Sequence, residues 1–135
     1  MALINNYNLT RPALTPYVLA AATQIIAPPS DDGTGVAVTP FDFTYLGTVY
    51  AAGNFTVCVN GWWRLGGSNP ATSYDNTLVN STATGVLLCP WWDDLALYDG
   101  AGGTGVGYET QGVAPSRRFI LQWETPRTKK NASCR

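Results

Sequence analysis

The chain has 135 residues, enough for one domain whose core needs no metal or disulfide staple. Its formal net charge is −1, with 8 Lys plus Arg, so no basic stripe exists for nucleic-acid phosphates. Charged residues are few at 13% but aromatics reach 12%, which excludes a disordered tail, and no apolar window is long enough to span a membrane.

The first stretch, residues 1–29, is proline-interrupted by Pro12, Pro16, Pro28 and Pro29. It reads as an extended N-terminal arm that lies on its own sandwich or on a neighbour, through Tyr7, Leu14, Tyr17, Leu19, Ile25 and Ile26. The prolines and the polar residues from Asn5 to Thr10 argue against a secretion signal.

Residues 30–135 read as a β-sandwich domain. SDDG at 30–33 is a turn, with Asp supplying side-chain hydrogen bonds and Gly33 the positive φ. GVAVTPFDF alternates, with Val36, Val38, Phe41 and Phe43 as its apolar points, and TYLGTVYAAG follows as a short strand broken by Gly47 and Gly53. FTVCV, Asn60-Gly61 and WWRLG then form a hairpin. A two-residue type I′ turn here needs positive φ at both turn positions, which Asn and Gly tolerate. That turn predicts the pairs Val59–Trp62, Cys58–Trp63, Val57–Arg64 and Thr56–Leu65.

Residues 66–85 form a long polar loop, a candidate functional loop. GVLLCP is a short strand ended by Pro90, and WWDDLALYDG leads out of it. The glycine loop at 100–105 lacks the Lys-Ser/Thr of a phosphate loop and supplies hairpin flexibility instead. VGYET is a strand, and RRFILQWE another, with Phe119, Leu121 and Trp123 on one face. The basic end, with Arg127, Lys129, Lys130 and Arg135, reads as a solvated tail. Short strands at close turn spacing, without an amphipathic helix, predict an all-β antiparallel sandwich, jelly-roll-like.

Chemistry is sparse. The chain has no His, which removes Ser-His-Asp and Cys-His arrangements, and the protein reads as non-enzymatic. Three cysteines, Cys58, Cys89 and Cys134, are no disulfide framework; Cys58 and Cys89 read as small buried hydrophobes, with a bridge between them the alternative. No cofactor is expected. Asp31, Asp32, Asp93 and Asp94 offer oxygen ligands that would suit calcium, against the simpler reading of turn capping. Trp62, Trp91 and Tyr74 stand out among the aromatics as candidates for stacking on a glycan, against core packing.

SDDGTGVAVTPFDFTYLGTVY, VCVNGWW, LLCPWWDDL and YETQGVAPSRRFILQW, in that order, resemble a β-sandwich module of bacterial extracellular proteins and phage virion proteins. The resemblance spans residues 30–124. It implies a non-catalytic structural or adhesive role. The pattern would continue with another strand pair, and an open edge left there is a template for β-augmentation. With the unsignalled arm, the resemblance favours a virion structural protein assembled in the host cytoplasm, either capsid decoration or part of a tail or fibre. Its partners would be other virion proteins and copies of itself. The alternative is a glycan-binding or adhesion module at an extracellular surface.

Overall fold

The computed structural model describes residues 19–66, 74, 85–98, 105–124 and 126–128. Within these residues every regular element is a strand, and the fold is an antiparallel all-β sandwich, as the turn spacing predicts. Twelve short strands run β1 (Thr23–Ile26), β2 (Ser30–Asp31), β3 (Thr34–Thr39), β4 (Phe43–Tyr45), β5 (Thr48–Tyr50), β6 (Gly53–Cys58), β7 (Trp62–Leu65), β8 (Val86–Leu88), β9 (Leu95–Leu97), β10 (Val106–Gln111), β11 (Arg118–Trp123) and β12 (Arg127–Thr128).

Two sheets supply the core. One has the order β1-β10-β11 and the other β3-β6-β7-β8. Ile26 and Val106 from the first meet Ala37 and Val57 from the second, with Val59 just after β6. Val57, Val59 and Val106 are fully buried, each burial worth roughly 1.5–3 kcal/mol. Phe119, Leu121 and Trp123 pack against this cluster, as the alternation in β11 predicts. The Trp123 indole N–H donates to the Cys58 carbonyl oxygen at 2.8 Å, linking β11 to β6 across the two sheets. A third sheet, β12-β9-β2, adds the fully buried Leu95 and nearly buried Leu97 to the same core. The hairpin β4-β5 stands as a separate two-stranded ribbon.

Three expectations need correction. The first is β1. Ile26, expected in an arm that could serve a neighbour, is 7% exposed within the chain's own core, and Ile25 packs beside it. β1 pairs with β10 because three of its four residues, Thr23, Ile25 and Ile26, are β-branched, and it follows the edge of a strand of its own chain.

The second is β3, whose apolar points face the wrong way. Val36 and Val38 are 50% and 44% exposed, while Ala37 and Thr39 are buried. The small inward residues let β1 cross closely: a Cβ on Gly35 would lie 2.9 Å from the Ile25 carbonyl oxygen. A valine row inside would hold the strands apart.

The third is the hairpin register. The pairs are Cys58–Trp62, Val57–Trp63 and Thr56–Arg64, one residue away from the expectation. Val59, Asn60 and Gly61 form a three-residue loop, closed by the Gly61 N–H donating to Cys58 O at 3.2 Å. Only Gly61 has positive φ, at 76°, so the type I′ condition fails at Asn60. The slip exchanges the faces of the two tryptophans. Trp63 joins Phe55 on the inner face, and Trp62 sits opposite Cys58, buried to 1% exposure. Leu46-Gly47 is the two-residue turn with both φ values positive, 48° and 79°, closing β4-β5.

Candidate binding site

The site is built around β9. This strand is flanked by β2, with Asp31 opposite Ala96, and by β12, with Arg127 opposite Ala96. Its approach segment, Trp91 to Asp94, is pinned to the 59–61 loop by alternate backbone groups. The Trp91 N–H donates to Gly61 O and the Asp93 N–H to Asn60 O, both at 3.3 Å. The Leu95 N–H donates to Asn60 Oδ1 at 2.7 Å.

Asn60 is the residue that holds these pieces together. Fully buried, it also donates from Nδ2 to Asp32 Oδ1 at 2.7 Å. One amide thus ties the Asp31-Asp32 turn, the hairpin loop and the start of β9. Gly61 matters for the same reason, since a Cβ there would collide with the Trp91 carbonyl. Sequence reading explained Asn60 by its backbone tolerance and missed the side chain. A polar residue between apolar strands was the available signal.

Pinned this way, Trp91 projects outward and is 51% exposed, with Tyr98 44% exposed beyond the end of β9. With Arg127 and Thr128 they line an open groove of about 670 Å³. A second depression of about 280 Å³ lies along β2 and β9, lined by Pro29, Ser30, Asp31, Ala96, Leu97 and Tyr98. Tyr98 borders both. The larger groove lies within the span of about 300–1,000 Å³ usual for small-ligand sites. Its lining offers two ring faces for stacking and one fixed cation.

Of Trp62, Trp91 and Tyr74, only Trp91 lines this groove. Trp62 is buried and presents no ligand face. Tyr74 is 48% exposed, with its chain neighbours outside the described residues, and is not in the groove lining. Arg127, read as part of a tail, is instead held in a strand; Lys129, Lys130 and Arg135 lie outside the described residues. Tyr7, Leu14 and Tyr17 also lie outside them, as do most of the 66–85 loop and most of the glycine loop. Leu19 is half-buried.

The four aspartates divide. Carboxylate oxygens of Asp31, Asp32 and Asp94 lie within 4.8 Å of one another. Asp93 stands apart and caps locally, its Oδ1 accepting the Asp94 N–H at 2.8 Å. Three hard oxygen donors suit calcium rather than a soft metal. Asp32 is already engaged with Asn60, so at that position turn stabilisation accounts for the carboxylate.

Cys58 is buried and Cys89 is exposed. No bridge joins them, and the hydrophobe reading fits Cys58 only. Partial burial nonetheless pushes the Cys89 thiol above its ordinary pKa. Cys134 lies outside the described residues.

A family profile described as NIDO related matches residues 6–134. The chain belongs to this NIDO-related family. Membership favours the adhesion-type surface module over the virion component. No curated protein and no solved structure matches the chain.

Proposed function

We propose that this NIDO-related chain is an adhesion-type module of an extracellular surface, acting without catalysis, and that it holds a glycan in the groove of Trp91, Tyr98 and Arg127. The carrying observation is the exposed aromatic pair beside a strand-anchored arginine. Sugar rings present C–H faces that stack on exposed Trp and Tyr rings such as these. Arg127 adds hydrogen-bond donors for hydroxyl or carboxylate groups. NIDO-related membership supports the extracellular placement.

A glycan array with the full chain tests this, followed by titration of the best glycan against Trp91→Ala. Binding that falls at least ten-fold in the variant, at unchanged thermal stability, is the expected result; about 1.4 kcal/mol corresponds to that loss. A silent array, or binding indifferent to Trp91, overturns the reading. Co-purification with phage particles in place of glycan binding would restore the virion role.

A further inference from the structure

A third cleft shares no residue with the groove above or with the depression along β2 and β9. It opens onto a column of aromatic rings drawn from several strands. Phe43 of β4 and Trp63 of β7 stack with centroids 6.3 Å apart and 20° between planes. Trp63 and Phe119 of β11 stack at 6.2 Å and 22°. Tyr50 extends the column at one end, 5.6 Å from Phe43, and Tyr108 at the other, 5.3 Å from Phe119. Above these rings lies a cavity of about 240 Å³ lined by Thr39, Phe41, Phe43, Trp63, Arg117 and Phe119.

The lining decides what fits. Four of its six residues are aromatic, and the Thr39 hydroxyl already accepts the Gly53 N–H at 3.4 Å. A sugar ring needs several polar partners, which such walls do not supply. The volume falls below the roughly 300 Å³ at which free small-molecule sites begin. One large side chain is the better match.

Arg117 stands at this cleft, its guanidinium 4.7 Å from the Phe41 ring centroid. Its Nη1 makes one long hydrogen bond to Pro40 O, at 3.5 Å. The side chain is exposed, and among the described residues no carboxylate pairs with it. It is therefore set to meet an incoming anion. An aromatic pocket with an exposed arginine in its lining has the composition of a protein-docking surface.

We infer that this cleft is a protein-docking pocket that takes one aromatic side chain with a carboxylate beside it, the carboxylate meeting Arg117. N-acetyl-phenylalanine carries both groups, and N-acetyl-phenylalaninamide lacks the charge. Each is titrated into the labelled full chain while the indole N–H signal of Trp63, assigned with Trp63→Phe, is followed by NMR. Both compounds shift that signal, and the acid binds about three- to five-fold more tightly at low salt, the range for an exposed ion pair. Arg117→Ala, an exposed change that leaves the core intact, removes the preference while the shift remains. Absence of any shift up to the solubility limit overturns the proposal, as does equal binding of acid and amide to the unaltered chain. Tighter binding of N-acetylneuraminic acid at the same signal overturns it too, by making the cleft a sugar site. Trp91 takes no part in any of these readouts, so this result and that for the glycan groove stand apart.

Discussion

Single side chains carry much of the structure, and Asn60 carries the most. Replacing it with Ala strands the buried Leu95 N–H and releases Asp32. The expected loss is about 2–3 kcal/mol, measured by urea unfolding. Asn60→Asp costs more, because a second carboxylate then faces Asp32 Oδ1 across a 2.7 Å contact. Glu109 is a surface latch: it accepts the Ala21 N–H at 3.1 Å and the Gln111 Nε2–H at 2.8 Å. The Gln111 bond first, then the backbone bond, hold its carboxyl below the ordinary value. A folded pKa below the unfolded one means that ionised Glu109 stabilises the fold at neutral pH. That contribution disappears as pH falls through the folded value. The melting-temperature gap between the native chain and Glu109→Gln is therefore present at pH 7 and closes below about pH 4. A gap constant down to pH 2 would contradict the latch.

At the scale of elements, the two tight turns test the same rule in opposite directions. Leu46 occupies the left-handed region without a side chain suited to it, at φ 48°. Leu46→Asn should stabilise the chain by about 0.5–1 kcal/mol, read as a higher melting temperature. Gly61 occupies that region at φ 76°, against the Trp91 carbonyl. Gly61→Ala should cost more than about 2 kcal/mol, and should loosen the Trp91 to Asp94 segment along with the hairpin. Amide exchange at Trp91 and Asp93, which bond to the 60–61 peptides, reports that loosening.

Across the whole molecule, strands far apart in sequence are neighbours in space. β1 pairs with β10, and β2 and β12 both pair with β9. Loop closure must precede each of these pairings, so folding should fall in the millisecond-to-second range seen for such sandwiches. Stopped-flow tryptophan fluorescence measures it, and microsecond folding would contradict this topology. The order of elements along the chain was legible: turn residues and alternation placed β6, β7, β8, β10 and β11 and the fold class. The inward face of β11 was legible too, because Phe119, Leu121 and Trp123 alternate with Arg118, Ile120, Gln122 and Glu124, three of them polar.

Sequence alone thus determined that this is an all-β sandwich, because strand propensity and turn chemistry are local properties. It also excluded histidine-based catalysis, because that is a matter of composition. Only the tertiary structure decided which faces are inside. Val36 and Val38 point outward because β1 crosses β3 closely, a contact between segments that no local pattern records. Trp62 is buried and Trp63 joins the ring column because Asn60 serves a buried amide site rather than a two-residue turn. The groove needed the same information. Trp91, Tyr98 and Arg127 meet because β9 lies beside β12, and long-range pairing sets that arrangement rather than spacing along the chain.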